Sequence, residues 1–407
     1  MHKVDLRQAI PPFIVVFMTP RIFPVIMAGG ASSRLWPASG RQKPKWDLRL
    51  FPAPGAKQGE PVQSLLEGAW ERGRSVAPAS QCFVVTGGGQ AELVHQSLPE
   101  LPVTNLLIEP EPRDTSGAVA YAAGAILKMI HALAGQTGDY EDVMFVLPGD
   151  QIIHPLSDFT QCVQAGVRVA IEMDALVTFG IIPRKPATAY GYIHRGAELR
   201  MQSPLPSPAS ASIPRAYRVL EFREKPDRAT AEQYLASGEY FWNGGIFLWR
   251  MRALLAEFER QLPQHAALAK ALGSIPKTAA VGGPEWNDVA RASFPGLKKI
   301  SIDFGIMEKA RSVATVAADY QWDDIGSWSS VAEHLENASG NAVGPATDLI
   351  SVDSRSNLVF APGKRVALIG VEGLAVVESE DEILICKLDR DQDVKKVSET
   401  AASQPRK

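Results

Sequence analysis

The sequence predicts an α/β fold in which a mostly parallel sheet is covered by helices on both faces and is followed by a small all-β domain. Continuous apolar strands alternate with amphipathic helices from residue 23 to about residue 181, a pattern typical of a parallel sheet buried on both faces. After residue 340, short strands follow one another at close, regular spacing, with turn residues between them. A chain of 407 residues is long enough for about two or three domains.

The first part of the chain predicts the order of elements in the sheet. Strands are expected at residues 23–27, 82–85, 105–108, 143–147 and 176–181, and helices at residues 62–76, 90–98 and 159–173. Thr115 or Ser116 is expected to cap another helix, which carries apolar residues at helical spacing over residues 119–130. Ligands of such sheets bind beyond the carboxyl ends of the strands, where the glycine loop (residues 28–45) and the loop at residues 148–151 begin. These two loops are therefore the first candidates for a binding site.

The second half of the chain has a different pattern of predicted strands, turns and helices. Residues 185–250 are rich in strand and turn signals, and the Pro- and Ser-rich segment 203–214 is expected to be an exposed loop. Helices are expected at residues 228–237, 251–261 and 285–293. The tail strands, which indicate a small solenoid or sandwich, are expected at residues 349–352, 358–360, 366–370, 374–377 and 383–387. The domains are then an extension at residues 1–17, a main domain at 18–340, a β-rich domain at 341–400 and a tail at 401–407.

Composition argues against several classes of protein. With 42 Lys and Arg against 45 Asp and Glu, the net charge of −3 argues against non-specific nucleic-acid binding. The three cysteines, Cys82, Cys162 and Cys386, lie far apart, which argues against a disulfide framework and favours a reducing compartment. No apolar run approaches the roughly 20 residues that span a bilayer, so we expect a cytoplasmic protein without membrane contact.

The stretch VIMAGGASSRLWP, at residues 25–37, carries the strongest signal for a ligand. Glycines after a strand let backbone N–H groups approach a phosphate chain, and Arg34 and Lys45 add positive charge around such an anion. The segment is neither a Walker loop nor a GxGxxG motif. A plain turn after the strand would explain the glycine pair alone, but not its combination with two cations.

Two aspartates are candidate ligands of a divalent cation. Asp150 follows a buried strand, and Asp324 belongs to an acidic pair ahead of Gly326. Mg²⁺ prefers oxygen ligands and is usually held by one or two carboxylates together with substrate phosphates. From the residues alone, the pair Asp323 and Asp324 is better explained as a capped turn.

The stretch GGASSRLWPASGRQKPK resembles the signature of sugar-1-phosphate nucleotidyltransferases, GGxGTRLxP…PK, and its RLWP is typical of the mannose-1-phosphate guanylyltransferase branch. Further segments resemble motifs of this family and occur in the family's order. They are IEP at 108–110, RDT at 113–115, LPGD at 147–150, VTFGI at 177–181, YGYI at 190–193, FREKP at 222–226, WNGGIF at 242–247, SIDFGIMEK at 301–309 and WDDIGSW at 322–328. The likeness covers roughly residues 23–400, and the ordered set is far more specific than any single motif.

This resemblance implies a Rossmann-like nucleotidyltransferase domain with a mostly parallel sheet, followed by a left-handed β-helix-like domain. It implies an enzyme that transfers GMP from GTP to α-D-mannose 1-phosphate and releases GDP-mannose and pyrophosphate, with Mg²⁺ as cofactor. It also implies the short, monofunctional form, without a fused isomerase domain. GTP and mannose 1-phosphate are then the partners, and a homodimer is a further expectation.

The matching positions imply roles for individual residues. The nucleotide-binding positions are Ala28, Gly29, Gly30, Ser32, Ser33 and Asp150; the catalytic positions are Arg34, Lys45 and Lys225; and the metal ligands are Asp150 and Asp324. Glu224 and Asn243 match residues that bind sugar hydroxyls, Lys225 matches the residue that meets the sugar phosphate, and Gly191 allows close approach to the sugar. From the residues alone, Glu224 and Lys225 are also explained as a surface ion pair, Asn243 as a turn and Gly191 as a β-bulge.

The sequence departs from the family pattern in places, and alternatives stay open. Ser32 stands where glycine is usual, Gly244 where serine is usual and Asp114 where asparagine is usual. One alternative is another hexose-1-phosphate nucleotidyltransferase, which uses glucose 1-phosphate or a different nucleotide. A molybdenum-cofactor guanylyltransferase has a similar loop but explains neither the EKP motif nor the β-rich tail. A third alternative, a weakly active regulatory homologue, is favoured by Ser32 and disfavoured by the retained charged residues.

Overall fold

A computed structural model describes residues 20–30, 33–40, 43–52, 62–134, 141–201 and 214–404. The predicted extension at residues 1–17, Ser32 and most of the predicted loop at 203–214 lie outside these residues.

The strands are, in chain order, β1 (Ile22–Ala28), β2 (Phe51–Pro52), β3 (Val62–Gln63), β4 (Phe83–Gly87), β5 (Leu106–Glu109), β6 (Val143–Pro148), β7 (Ile152–His154), β8 (Leu176–Ile181), β9 (Gly191–Glu198), β10 (Ala216–Glu224), β11 (Tyr240–Arg250), β12 (Val313–Ala318), β13 (Gln321–Asp323), β14 (Glu336–Ala338), β15 (Asn341–Val343), β16 (Asp348–Val352), β17 (Leu358–Phe360), β18 (Arg365–Ile369), β19 (Leu374–Ser379) and β20 (Glu382–Lys387). The helices are α1 (Leu65–Arg74), α2 (Ala91–Ser97), α3 (Asp114–Ala134), α4 (Leu156–Met173), α5 (Arg228–Ser237), α6 (Met251–Gln261), α7 (Pro263–Gly273), α8 (Pro284–Ser293), α9 (Ile302–Gly305), α10 (Trp328–His334) and α11 (Val394–Ser403).

Nine of the described strands form one sheet in the order β5-β4-β1-β6-β11-β8-β12-β10-β9. The first four strands of this order run parallel to one another. Strand β11 runs antiparallel to both of its neighbours in this order, β6 and β8, and β10 runs antiparallel to β12 and β9. The predicted α/β class is therefore confirmed, and its parallel order holds for the half of the sheet that carries the glycine loop. The sheet as a whole is mixed, because β11 reverses direction in its centre.

Burial on both faces explains why the central strands are unbroken apolar runs. Along β6, Met144 and Val146 pack in the cluster on the α3 side, whereas Phe145 and Leu147 pack in the cluster on the α4 side. Successive side chains of a strand point to opposite faces, so a strand with helices on both sides needs apolar residues at every position.

Helix α3 is a buried core helix. Its segment Asp114–Leu133 is long and apolar enough to cross a membrane by length and composition, which corrects the sequence expectation that no run approaches this length. However, 78% of its most apolar window is buried inside the protein. Its partner is α7, a helix that the sequence analysis did not predict. A Cβ added at Gly124 would lie 2.6 Å from the Leu272 Cβ, so the absence of a side chain allows the two helices to approach.

The predicted caps of α3 are wrong, because both side chains bond to a different segment. The helix begins at Asp114, ahead of both predicted cap residues. The Thr115 Oγ1 accepts a hydrogen bond from the Ile302 N–H at 2.8 Å, and the Ser116 Oγ donates one to the Ile300 carbonyl at 2.7 Å. The start of α3 is thereby joined to the segment that leads into α9.

Helix α1 is shorter than predicted, because its first residues belong to β3. Strand β3 pairs with β2, and Ser64 then caps the helix. The Ser64 side chain accepts from the Glu67 N–H at 3.1 Å, and the Glu67 side chain accepts from the Ser64 N–H at 2.7 Å. This reciprocal capping box fixes the first turn of the helix.

The C-terminal strands form a small solenoid rather than a sandwich. Strands β15, β17 and β19 pair in parallel, as do β16 and β18. An internal asparagine connects successive coils, because the Asn357 side chain donates to the Asn341 Oδ1 at 2.9 Å and accepts from the Leu374 N–H at 2.9 Å. Strand β14, which lies before the predicted boundary at residue 341, belongs to the same sheet as β15, β17 and β19. The predicted domain boundaries remain predictions.

The solenoid packs on the glycine loop through a single apolar cluster, here called the junction cluster. Its buried members are Leu35, Ala38, Leu48, Leu50, Leu65, Ile152, Ile325, Trp328, Val331, Leu358, Phe360, Ala375, Val377, Leu384 and Val394. The Trp328 indole N–H also donates to the Trp36 carbonyl at 3.1 Å. The Lys43 ammonium pairs with the Glu380 carboxylate at 2.7 Å. The position of the loop therefore depends on the C-terminal domain.

Candidate functional site

A cavity of about 590 Å³ lies beyond the carboxyl ends of β1 and β6, where the sequence predicted a binding site. Its lining comes from six parts of the chain, namely the glycine loop with the adjoining Trp46, the loop after β6, the segment before β9, the segments that follow β10 and β13, and the start of α11. The lining residues are Gly29, Gly30, Ser33, Arg34, Lys45, Trp46, Asp150, Ala189, Lys225, Asp324, Gly326 and Lys395.

The start of the glycine loop leaves open space for a ligand. Gly30 has a φ of 97°, a conformation that strongly favours glycine. A Cβ added at Gly29 or Gly30 would meet no protein atom within 4 Å among the described residues. Ala28 differs from the other predicted nucleotide-binding residues, because its side chain is fully buried and its carbonyl accepts from the Thr86 Oγ1 at 2.7 Å.

Lys45 connects the two predicted metal ligands. Its side chain is only 11% exposed, and its ammonium lies 2.6 Å from the Asp150 Oδ2. The same ammonium donates to the backbone carbonyl of Asp324. The loop after β6 reaches this position because Gly149 packs tightly on β1: a Cβ there would lie 3.1 Å from the Met27 carbonyl oxygen.

The adjacent residues Asp323 and Asp324 have different surroundings. The Asp323 carboxylate accepts from the Ile325 N–H at 2.7 Å and from the Ser330 Oγ at 2.6 Å, and it lies 3.1 Å from the His334 Nε2. These hydrogen bonds, the one from His334 foremost, lower its pKa despite its burial. The alternative of a capped turn thus describes Asp323, while Asp324 lines the cavity.

The Asp324 carboxyl group has both positively and negatively charged neighbours. Burial raises the pKa of its carboxyl group, Lys45 and Arg34 lower it, and the charges of Asp323 and Asp150 raise it further. Asp150 and Asp324 line the same cavity, so their like charges repel each other across it. A cation between them would relieve this repulsion.

These residues fit Mg²⁺ as a cofactor held jointly with a ligand. Asp150 and Asp324 offer hard oxygen ligands in one cavity, and the Lys45 ammonium already contacts the Asp150 carboxylate and the Asp324 backbone carbonyl. In the part of the chain that the structure describes, there is no group of three or more His, Cys, Asp or Glu residues that could hold a metal. Two carboxylates completed by substrate phosphates are a usual arrangement for Mg²⁺.

Three of the predicted sugar-binding residues lie together. A Cβ added at Gly191 would lie 2.7 Å from the Glu224 Oε2 and 3.5 Å from the Asn243 Cβ. Gly191 pairs directly with Glu224, and the irregularities of the β9–β10 ladder lie elsewhere, between Tyr217 and Glu221. The absence of a side chain at Gly191 is therefore explained by the nearby Glu224 carboxylate and not by a β-bulge.

The Asn243 amide is held in one orientation by a carboxylate that sequence reasoning missed. Its Nδ2 donates to the Asp303 Oδ1 at 2.8 Å, and its Oδ1 accepts from the Gly245 N–H at 3.1 Å. Burial raises the pKa of Asp303, and the nearby charge of Glu224 raises it further. The available signal was the SIDFGIMEK motif, in which Asp303 is the acidic residue nearest the start of α9.

Two further predicted positions have local explanations in the structure. The Lys225 ammonium lies 2.8 Å from the Glu224 carboxylate, but both side chains are about half exposed or more, so this ion pair holds Lys225 weakly. Lys225 also lines the cavity, and it links the cavity to the Gly191–Asn243 cluster. A Cβ at Gly244 would lie 3.3 Å from the Phe179 carbonyl oxygen, which explains glycine at this departure from the family pattern.

Gln151 joins the loop after β6 to strands β11 and β13, and it was also missed. Its Nε2 donates to the Gly244 carbonyl at 2.8 Å, and its Oε1 accepts from the Trp322 indole N–H at 2.9 Å. Its own carbonyl accepts from the buried Arg72 at 2.9 Å. The residue after Asp150 thus ties the loop after β6 to the motifs that carry Asn243 and Asp324.

A mixed α/β sheet with a glycine loop, cations and two carboxylates at its carboxyl edge is the arrangement that the resemblance to nucleotidyltransferases led us to expect. The family model for nucleotidyl transferases matches residues 23–339, and the model for the MannoseP isomerase/GMP-like beta-helix domain matches residues 347–400. More narrowly, the chain belongs to the mannose-1-phosphate guanylyltransferase family.

Relatives and a solved structure support this assignment. The chain is 35% identical to mannose-1-phosphate guanylyltransferases of Klebsiella pneumoniae and Escherichia coli, over 93% of this chain and 73% of each relative. It also resembles a crystal structure from Thermus thermophilus described as a mannose-1-phosphate geranyltransferase, with a TM-score of 0.75 and 30% identity. That match covers 94% of this chain and 99% of that one. The resemblance deduced from the sequence motifs and the two-part fold are confirmed.

Proposed function

We propose that the protein transfers GMP from GTP to α-D-mannose 1-phosphate and produces GDP-mannose and pyrophosphate. An oxygen of the sugar phosphate attacks the α-phosphorus of GTP, the bond from this phosphorus to the β-phosphate bridging oxygen breaks, and pyrophosphate leaves. No protein nucleophile is required, so the residues act by positioning and by charge stabilisation. The observation that carries the proposal is that a single cavity is lined by the glycine loop with Arg34 and by Lys225.

The glycine loop is proposed to bind the triphosphate. The open space over Gly29 and Gly30 lets backbone N–H groups reach phosphate oxygens, and Ser33 lines the same wall. Arg34 is exposed and offers a guanidinium that can bind phosphate oxygens in a bidentate manner. Lys45, which contacts Asp150, stabilises the negative charge of the transition state.

Asp150 and Asp324 are proposed to hold Mg²⁺ together with the phosphates of both substrates. When bound, the ion would neutralise negative charge on the phosphates. Asp323 keeps Asp324 in place by capping the turn, through the hydrogen bond from the Ile325 N–H. Gln151 supports Asp150 from the other side, through its bonds to Gly244 and Trp322.

The cluster around Glu224 is proposed to bind the sugar phosphate. Lys225 provides the ammonium for the phosphate, and the Glu224 carboxylate accepts hydrogen bonds from sugar hydroxyls. Asp303 fixes which end of the Asn243 amide donates, so that the remaining N–H and lone pair have defined directions. Gly191 leaves room for the Glu224 carboxylate at this position.

Pyrophosphate release with a panel of substrates tests this function. Wild-type protein is assayed with GTP, ATP, UTP, CTP and dTTP, each paired with mannose 1-phosphate or glucose 1-phosphate, with Lys45→Ala as the background control. We expect GTP with mannose 1-phosphate to be the best pair. Preference for another pair would support a different hexose-1-phosphate nucleotidyltransferase, and no turnover with any pair would support a regulatory homologue.

A further inference from the structure

A lysine near the end of the chain lines the same cavity as the glycine loop. Lys395 belongs to α11, which follows the solenoid, and it lies in the cavity wall with Gly29, Gly30 and Arg34. We propose that Lys395 binds the β- and γ-phosphates of the nucleoside triphosphate, the part that leaves as pyrophosphate. This inference rests on the proposed function, since it takes a nucleoside triphosphate as the ligand. It makes the C-terminal domain a part of the substrate site.

Packing fixes Lys395 relative to the glycine loop. Its neighbour Val394 is 2% exposed and belongs to the junction cluster, which also contains Leu35 of the glycine loop and Trp328 of α10. Just before α11, the Asp391 Oδ2 accepts from the Ser329 N–H at 2.8 Å. This buried anchor fixes the backbone of Lys395 at the cavity wall, while the lysine side chain itself is 60% exposed. Because this anchor belongs to the same cluster as Leu35 of the glycine loop, we assign Lys395 to the triphosphate and not to the sugar.

Helix stability does not explain a lysine at this position. The N-terminal end of a helix carries partial positive charge, so a cation in the first turn is unfavourable. Lys396, the next residue, is compensated by Asp393 with an Nζ–Oδ1 distance of 2.7 Å. For Lys395, the ion pair within the described part of the chain is the longer one to Glu399, at 3.8 Å, between side chains that are 60% and 64% exposed. An anion in the cavity would give Lys395 the compensation that its own helix lacks.

The cations that line the cavity also favour a nucleoside triphosphate as the ligand of Lys395. Of the cations that line the cavity, Lys45 is engaged by Asp150, and Lys225 is shared with Glu224. Arg34 and Lys395 remain for the distal phosphates of a nucleoside triphosphate, which carries several negative charges. Hydrogen bonds between an ammonium and phosphate oxygens are among the stronger ones in proteins.

Lys395→Ala tests the proposal, with Lys396→Ala as the matched control on the same helix turn. We expect Lys395→Ala to raise the KM for GTP and to weaken pyrophosphate binding, measured by calorimetry, each by about tenfold, as for loss of one charged hydrogen bond. The KM for mannose 1-phosphate should stay unchanged. Lys395→Met, which keeps the aliphatic chain, should behave like Lys395→Ala, and Lys395→Arg should restore most of the affinity. Equal GTP KM and pyrophosphate affinity in Lys395→Ala and Lys396→Ala would overturn the assignment.

Calorimetry with pyrophosphate separates this inference from the proposed function. If wild-type protein transfers no nucleotide but Lys395→Ala loses pyrophosphate affinity, the guanylyl-transfer proposal fails and the lysine assignment stands. If the wild type is active and both measurements are unaffected in Lys395→Ala and Lys395→Met, the function stands and the lysine assignment fails.

Discussion

The adjacent aspartates Asp323 and Asp324 show how position decides the role of a side chain. Asp323 is almost fully buried and takes part in hydrogen bonds from Ile325, Ser330 and His334. Asp324 has its carbonyl bonded by Lys45 and lines the cavity. The first residue therefore shapes the turn, and the second remains available for a ligand.

Replacement of Asp150 by Asn tests the proposed metal site. The amide keeps the shape of the side chain but removes a negatively charged oxygen, so we expect weaker metal binding and a turnover at least roughly 100-fold lower. Mn²⁺ binding in the presence of GTP, followed by electron paramagnetic resonance, measures the metal directly. Asp319→Asn, at an exposed residue paired with Arg184, is the control. Normal Mn²⁺ affinity and normal turnover in Asp150→Asn would refute the metal assignment.

The Glu109 carboxyl group should make the free energy of unfolding depend on pH. Burial, and then the charge of Asp114, raises the pKa of its carboxyl group to about 7, and its Oε1 has no hydrogen-bond partner among the described residues. Between the ordinary pKa of a glutamate and about 7, the folded protein holds a proton that the unfolded chain has released. The free energy of unfolding therefore falls as the pH rises through this window.

Glu109→Gln should remove this part of the pH dependence. The wild type should lose on the order of 1–2 kcal/mol more than the variant between pH 5 and pH 8, after allowance for partial exposure. Urea unfolding at both pH values measures the difference, with the exposed Glu100→Gln as the control. Parallel pH profiles of wild type and Glu109→Gln would show that Glu109 titrates normally.

At the scale of elements, the paired strands β9 and β10 build the proposed sugar site. Gly191, at the start of β9, and Glu224, at the end of β10, pair across the ladder, and Asn243 of β11 lies beside them. The site therefore depends on the register of these strands.

Gly191→Ala should damage the sugar site selectively. The new Cβ would lie 2.7 Å from the Glu224 Oε2, so the carboxylate must move. We expect kcat/KM for mannose 1-phosphate to fall by about 10- to 100-fold, because small displacements of binding groups are costly, while the KM for GTP stays the same. Gly196→Ala in the same strand is the control, because its nearest neighbour is the exposed, flexible Leu220 side chain. Equal effects of the two substitutions on the sugar would contradict this prediction.

The elements that the sequence predicted well are those whose signal is local. Strands β1 and β6 were found to within a residue at each end, because burial on both faces leaves an unbroken apolar run between glycine and proline turns. The reversed direction of β11 has no such signal, since a strand looks the same in either direction. Helix α7 was missed although Leu268, Ala269 and Leu272 have helical spacing.

The residues of the candidate site likewise divide into those with a local sequence signal and those without one. Its motifs supplied residues that the structure brings to one cavity, such as Arg34, Asp150 and Asp324. Asp303 and Gln151 act through hydrogen bonds to residues far away in sequence, and only the folded chain reveals such partners. Lys395 could not be assigned at all without the fold, which brings α11 and the glycine loop to one cavity and one apolar cluster.

At the scale of the whole molecule, the junction cluster makes the C-terminal domain a support of the candidate site. It joins Leu35 and Ala38 of the glycine loop to α10 and to the interior of the solenoid. The ion pair of Lys43 with Glu380 adds a polar contact at the same border. Damage to this cluster should therefore affect both stability and nucleotide binding.

Val394→Ala tests this coupling, with Val397→Ala three residues later in α11 as its matched control. Val394 is 2% exposed and Val397 is 43% exposed, so the same loss of two methyl groups leaves a cavity only at the first position. We expect Val394→Ala to lower the free energy of unfolding by roughly 1–3 kcal/mol and to raise the KM for GTP, because Leu35 and Lys395 both lose support. The KM for mannose 1-phosphate should change little, since the cluster around Glu224 lies on other strands. Chemical unfolding and steady-state kinetics of the two variants measure these effects. A loss of stability without any change in the KM for GTP would show that the two domains are joined but not coupled at the nucleotide site.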